Sequence, residues 1–397
     1  MRMIERTTSL FTGWGITRVI AIYAAVQTAH PVSGWLADVA LYNWWAENIS
    51  NGQFPLNDPM WQYPPLAAIV FCFAHSLGPG SVGFVTFAVL ADLGIMTLLL
   101  RHAKKLGSYN PFAPWIWVAA PIFIGPIMFG RLDIFPTLAM VAALVLFSSP
   151  RAFGALVAVG ALLKVWPVLG LIATPRKSAS KIFTSFVVTF VGGSAVMLAW
   201  WPGSLSFITG QRSRGLQIES VGALPYMIWN AGSGNVKVEL LYGAVEVVAS
   251  GTKVVCALVT LIGVGLLGML IWRRYRGALE HVEASDLTLL AVLISMCTSR
   301  VLSPQYIVWV VALLAVCAFK PQRNFGWIAG LILTSSLCGS IIYPAMYIDF
   351  EIGKFLPVAL HTIRVLSLVI ATYICWSNLN VKIVDQGRSQ KAFAAVD

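Results

Sequence analysis

Residues 254–276 read VVCALVTLIGVGLLGMLIWRRYR. An uncharged apolar run of roughly the 20 residues that a membrane-crossing helix needs ends here in Arg273, Arg274 and Arg276. The same sequence of events recurs along the chain. Arg101, His102, Lys104 and Lys105 follow the run 81–100, and Arg176, Lys177 and Lys181 separate 166–173 from 182–201. Of the 397 residues, 58% are hydrophobic and 11% charged. Soluble domains carry about 25% charged residues. So few polar groups cannot cover a soluble globule of this size, which excludes soluble enzymes, disordered tails and secreted disulfide scaffolds. A transmembrane barrel would alternate polar and apolar residues in segments of about ten. Continuous apolar runs call for helices, which satisfy their own backbone in lipid.

The formal net charge is +11. No nucleic-acid-binding motif accompanies it, and the cations sit between apolar runs as cytoplasmic loops do. The six cysteines form no CxxC pair and read as small hydrophobes. The basic N-terminus (Arg2, Arg6) leads into an apolar run containing Arg18, which reads as an uncleaved first membrane helix. Twelve spans are expected, near 11–29, 81–100, 112–129, 134–148, 152–164, 166–173, 182–201, 252–272, 286–299, 305–319, 325–343 and 356–376. Lys164-Val165-Trp166-Pro167 splits 152–164 from 166–173, so a broken helix pair should meet near the far face. The short segment 64–77 is assigned to the interface, because only then do the basic loops share one side. The expected fold is an all-α polytopic membrane protein in one domain, 1–397. A long first outer loop, 30–80, carries interfacial helices, a second runs over 202–251, and both termini are cytoplasmic in the plasma membrane.

The first outer loop holds Asp38, Glu47 and Asp58 among Trp44, Trp45, Trp61 and Tyr63. Residues 36–49 have helical periodicity and would lie on the membrane surface with Trp44 and Trp45 as anchors. Asp58 sits between Asn57 and Pro59, ahead of Tyr63-Pro64-Pro65. Prolines fix the backbone there, so its carboxylate is either a positioned base or the acceptor of an Asx-turn. Gly130-Arg131-Leu132-Asp133 offers an Arg–Asp pair at an outer helix end. Lys164, in a broken helix, either binds a ligand or snorkels. Arg212, Arg214 and Glu219 fall within GQRSRGLQIES, and Ser299-Arg300-Val301-Leu302-Ser303-Pro304-Gln305-Tyr306 interrupts the apolar pattern. His361 and Arg364 lie one turn apart in the last span, where helix packing is the plain alternative. Carboxylates and fixed cations at one membrane face suit group transfer from a lipid phosphate. The carboxylate takes the acceptor proton and the cations stabilise the departing phosphate.

Asp38 and Tyr42, then Asn51-Gly52-Gln53-Phe54-Pro55, then Asp58 with Tyr63-Pro64-Pro65-Leu66, form a pattern that resembles glycosyltransferase family 87, of GT-C type. Gly130-Arg131-Leu132-Asp133, Leu163-Lys164-Val165-Trp166-Pro167 and Ser303-Pro304-Gln305-Tyr306 resemble its later motifs. The family includes polyprenol-phosphate-mannose-dependent α-1,2-mannosyltransferases and arabinofuranosyltransferases. The resemblance implies a GT-C fold, a polyprenyl-phosphate sugar donor, most simply mannose, and a glycolipid or lipid-linked glycan acceptor at the extracytoplasmic face. It makes Asp58 the catalytic base. Asp38, Tyr63, Arg131, Asp133, Lys164, Arg212, Arg214, Glu219, Arg300, Gln305, Tyr306 and His361 are the candidate substrate-binding residues. No cofactor, metal or nucleic acid is expected. A secondary transporter is the rival reading, weakened by the lack of an internal repeat.

Overall fold

The computed structural model describes residues 2–27, 34–56, 58–106, 112–210, 214–241 and 243–393, without the side chains of 2–6, 112, 209–210 and 380–393. The helices among these residues are α1 (Arg2–Gln27), α2 (Ala37–Ser50), α3 (Leu66–Ser76), α4 (Ser81–Leu106), α5 (Phe112–Ile124), α6 (Ile134–Val145), α7 (Pro150–Leu163) and α8 (Ala179–Trp200). They continue as α9 (Phe207–Gly210), α10 (Leu224–Ser233), α11 (Thr252–Tyr275), α12 (Ala284–Cys297), α13 (Ile307–Cys317), α14 (Phe325–Ile342), α15 (Tyr347–Glu351) and α16 (Phe355–Phe393). The protein is an all-α polytopic membrane protein. α1, α4, α8, α11, α14 and α16 are long and apolar enough to cross a bilayer.

Among the described residues, each of the twelve expected spans coincides with a helical segment, but several are short. α6 has 12 residues, α7 and α12 have 14 each, and α13 has 11. At about 1.5 Å per residue they reach roughly 16–21 Å, less than the ~30 Å hydrocarbon core. Their composition explains the difference. Every residue of α13 is buried, as is nearly every residue of α12, so these helices are apolar all round because they are packed in protein. Irregular backbone at their ends is tolerated there. The expected span 166–173 is a 3-10 segment, Trp166–Ala173, rather than an α-helix.

That segment folds back on α7. A Cβ on Gly160 would come within 2.9 Å of Pro167, and one on Gly170 would meet Met140 and Val157. Gly160 with Pro167 and Val157 with Gly170 therefore pack as the two arms of a hairpin. Pro167 cannot continue the helix, so the chain turns at Lys164, whose backbone is extended (φ −158°, ψ 140°).

In the first outer loop α2 and α3 pack on one another. α3 has 11 residues and is too short to cross. Trp44 is exposed as an anchor should be, but Trp45 is wholly buried, stacked near Tyr42 and Phe71. The second outer loop is more ordered than its sequence suggests. Strands β1 (Lys237–Leu241) and β2 (Ala244–Val248) pair antiparallel, with Lys237 opposite Val248 and Leu241 opposite Ala244. With α10 they enclose a second small core around Leu216, Ile218, Met227 and Val247 that rests on Ile342, Phe350 and Val358.

The two ends of the bundle differ. Lys105 meets Ser148, Lys320 meets Glu283, and the Arg176 amide meets Glu280, so the basic loops gather at one end. The two long loops gather at the other.

Candidate active site

At the end formed by the long loops lies a cavity of about 420 Å³. Four parts of the chain build it: the start of α2 with residues 60–64, the Lys164 turn, the 3-10 turn Pro304–Tyr306 that enters α13, and the second outer loop. Its charged lining residues are Asp38, Lys164 and Arg214.

Lys164 stands at the apex of the α7 hairpin. Its Nζ donates to both carboxylate oxygens of Asp133, at 2.8 and 2.9 Å. Asp133 opens α6, is 1% exposed, and also accepts the Trp309 indole N–H at 2.6 Å. The ammonium lies 5.1 Å from the ring centre of Tyr306 and 5.4 Å from that of Trp309. Those rings stack at 4.1 Å, and Trp166 stacks on Trp309 at 5.0 Å. Three parallel rings thus form a floor beside a fixed cation.

Asp38 occupies the first turn of α2, with its side chain 38% exposed at the cavity wall. Its Oδ2 is 3.1 Å from Arg131 Nε. This contact is an ion pair; the hydrogen bonds of the buried Arg131 go from its Nη atoms to the Tyr343 hydroxyl at 2.8 Å and the Gly130 carbonyl at 3.1 Å. Burial pulls the guanidinium toward neutrality, but Asp38 and the nearby tyrosines more than offset this and hold its pKa above the usual arginine value. Arg131 and Asp133 therefore do not pair with each other. Each crosses the site to a different partner, Asp38 and Lys164.

Tyr63 lines the cavity and shares a 3.0 Å contact with the Tyr42 hydroxyl. Burial pushes its phenol up to about 12, against the pull of Lys164, so it stays protonated at neutral pH. Gln305 and Tyr306 line the same cavity. Of the expected residues, Asp38, Tyr63, Lys164, Arg214, Gln305 and Tyr306 come together, with Arg131 and Asp133 directly behind them.

Asp58 is placed differently. Its Oδ1 accepts the Met60 amide at 2.8 Å, the hydrogen bond of an Asx-turn. Its Oδ2 accepts the Trp45 indole at 2.7 Å. Met60 and Trp45 line the cavity, and Asp58 stands behind them. Arg300 donates to the Arg214 carbonyl at 3.0 Å, holding the second loop rather than facing the cavity. Glu219 is sealed in an ion pair with Arg364 at 2.7 Å and is also bonded by Gln217 and Tyr347. Burial raises its carboxyl pKa despite Arg364. His361 is fully buried against Phe350. Neither Glu219 nor His361 reaches the cavity. Arg212 lies outside the described residues.

Sequence reading passed over Trp45, Trp309 and Trp166 as site residues. A signal existed for Trp45, since Tyr42, Trp45, Ala46 and Ile49 share one helical face. Trp309 sits in an unbroken apolar run and carries no such mark. Among the described residues no three of His, Cys, Asp and Glu form a metal-ligand cluster.

No curated protein and no solved structure matches the chain. The family model of glycosyltransferase family 87 matches residues 61–304. That stretch contains Tyr63, Arg131, Asp133, Lys164, Arg214 and Arg300, and begins after Asp38 and Asp58. It covers more than half of the sequence, and the chain accordingly belongs to glycosyltransferase family 87, a family of membrane glycosyltransferases.

Proposed function

We propose that the protein moves a sugar, mannose in the first instance, from a polyprenyl-phosphate donor to a hydroxyl of a glycolipid or lipid-linked glycan. Transfer takes place at the extracytoplasmic face of the plasma membrane. The observation that carries this reading is the single cavity in which a partly exposed carboxylate, a fixed ammonium and a floor of stacked rings meet. The basic loops at the opposite end support the sidedness, because cytoplasmic loops carry the excess of Lys and Arg.

Asp38 is the general base. Its carboxylate takes the proton of the acceptor hydroxyl while that oxygen bonds to the anomeric carbon. The bond from the anomeric carbon to the donor phosphate oxygen breaks, and the electron pair leaves with the lipid phosphate. Attack opposite the leaving group inverts the anomeric centre. Lys164 and Arg214 hold the phosphate and stabilise the charge it gains. Arg131 orients Asp38, and Asp133 with Trp309 orients Lys164. The stacked rings of Tyr306, Trp309 and Trp166 offer an apolar face to the sugar or the first isoprene.

The resemblance makes Asp58 the base, and Asp38, at the cavity wall, competes with it for that role. Asp58 has both carboxylate oxygens engaged behind the cavity wall, which favours Asp38. Single-turnover transfer and donor binding, measured for Asp38→Asn and Asp58→Asn, test the choice. Asp38→Asn should lose about 10²–10⁴-fold in transfer, the usual contribution of a general base, while donor binding persists. Asp58→Asn keeps the Asx-turn through its amide oxygen but leaves the Trp45 indole without its acceptor, so it should lose no more than about tenfold, the order of one hydrogen bond to a charged group. The reverse ranking would return the base to Asp58.

A further inference from the structure

The 3-10 segment Trp166–Ala173 has two covered flanks and one open flank. α7 and α12 pack against it. At 8 residues it is long for its type, since 3-10 hydrogen bonds are poorer than α-helical ones and runs beyond three or four residues are uncommon. Such a segment depends on its surroundings for stiffness. On its third side is an apolar groove of about 440 Å³ between the segment, α8 and α11, walled by Val168, Leu171, Ile172, Phe183, Leu267 and Ile271. α8 and α11 are largely unburied by protein, so the groove opens to lipid.

The groove ends among the basic loops. There Arg274 is occupied. It donates to the carbonyls of Ala173 at 2.8 Å and Thr174 at 3.1 Å, and to that of Leu279, and so ties down the end of the segment. Arg176 is different. The residue is exposed, and its guanidinium lies 5.4 Å from the ring centre of Tyr275 at the groove mouth. Lys177, Lys181 and Arg276 are exposed close by in sequence, and the nearby carboxylate is Glu280, on the Arg176 amide at 3.2 Å.

We infer that this groove binds one anionic phospholipid from the leaflet at the basic end, with an acyl chain along Val168–Ile172 and its phosphate on Arg176. The walls match a hydrocarbon chain, and a concave apolar surface makes more dispersion contacts with one retained chain than with passing ones. The basic rim matches a phosphate, with which a guanidinium makes charge-assisted hydrogen bonds. The bound chain covers the open flank of a segment whose other end leads into Lys164. The link to donor use rests on the phosphate-binding reading of Lys164; the binding site itself does not.

The test is native mass spectrometry of the full chain in detergent with equal amounts of phosphatidylglycerol and phosphatidylcholine. One phosphatidylglycerol should be retained in preference. Arg176→Gln should cut that preference about fivefold, the worth of one basic residue at an anionic surface. Ile271→Trp fills the groove and should reduce retention of both lipids, and Leu171→Phe replaces it if the tryptophan variant does not fold. Val188→Trp, on the exposed face of α8 outside the groove, should change nothing. Equal retention of the two lipids, or retention untouched by the groove-filling variants, overturns the inference. A retained polyprenyl phosphate also overturns it and assigns the groove to the donor tail. Because binding is read without transfer, failure here is distinguishable from failure of the proposed reaction.

Discussion

Arg18 on α1 and Lys164 at the end of α7 are both cations on membrane helices, and each has a buried aspartate as partner. Arg18 is 2% exposed. Its Nε and Nη2 bind both oxygens of Asp92 at 2.9 Å, Nη1 reaches Thr17 and the Val118 carbonyl, and Nη2 also reaches the Trp117 carbonyl. A guanidinium has five N–H donors, and all are spent. The Trp117 carbonyl is available because Pro121, one turn later in α5, has no N–H to give it. Trp14 completes Asp92 at 2.7 Å. Lys164 is closed only on the side of Asp133. Its side chain is 18% exposed and faces the cavity. The first pair is a lock between α1, α4 and α5. The second is an ammonium left partly open to the cavity, which the proposed reaction uses as a charge aimed by the carboxylate. Burial of a charge in a membrane helix marks a candidate, and the number of donors left over separates structure from function.

The largest expected effects come from neutralising each pair. Lys164→Met with Asp133→Asn removes both charges at nearly constant volume. The doubly changed protein should fold, and its transfer should fall by about 10²–10³-fold, as when one stabilising donor is lost from an active site. Arg18→Met with Asp92→Asn should do the opposite. It leaves the Trp117 carbonyl buried without a donor, at about 1–3 kcal/mol, while the Val118 carbonyl keeps the Thr17 hydroxyl at 2.9 Å and the folded fraction transfers normally. Thermal unfolding in detergent, alongside transfer per folded molecule, reads both. Loss of stability at 164/133 with normal transfer would end the distinction.

A smaller effect separates the two indoles that complete these carboxylates. Trp309→Phe keeps the ring stack with Tyr306 and Trp166 but loses the 2.6 Å bond to Asp133. Transfer should drop about tenfold, the order of one hydrogen bond to a charged group, and the loss should appear in donor use rather than acceptor use. Trp14→Phe removes the matching bond to Asp92 and should lower the unfolding temperature with turnover unchanged.

How much of this was legible in the sequence follows from the range of the interactions. The apolar helices were readable because their signal is local hydropathy, but which of them are long enough to cross was not, since the short ones are apolar through burial in protein. The break at Lys164 was readable because Pro167 announces it. Arg131 and Asp133 look like a local pair, but Arg131 lies in the bend before α6 and Asp133 caps that helix, and each finds its partner across the fold. Asp92 is invisible inside an apolar run until α1 brings Arg18 to it. The Asx-turn at Asp58 was legible because it is local, whereas the Trp45 indole on its second oxygen and the Arg131 contact of Asp38 come only with packing. The hairpin at Lys237–Val248 left a trace in the alternation of Val238, Leu240, Val245 and Val247 about Gly243. Its polar flanks read as loop.

The smallest effect sharpens the comparison at Asp38. Its partner Arg131 resembles Arg18 more than Lys164, being buried and bonded on several sides. Yet one of its contacts is to a carboxylate that faces the cavity. The Tyr343 hydroxyl accepts from Arg131 at 2.8 Å and is 3.3 Å from the Gly34 carbonyl, to which it donates. Tyr343→Phe removes that acceptor and keeps the ring against Trp35 and the guanidinium. The Asp38 and Gly130 contacts remain, so the fold should hold and donor binding should stay unchanged. Arg131 then has one neighbour fewer fixing its plane, and Asp38 is aimed less well. The expected result is a few-fold fall in single-turnover transfer, in line with the roughly 1 kcal/mol of a typical hydrogen bond. An unchanged rate would mean that Arg131 is fixed by its backbone contacts alone. A loss as large as that of Asp38→Asn would mean that Tyr343 itself takes part in the transfer.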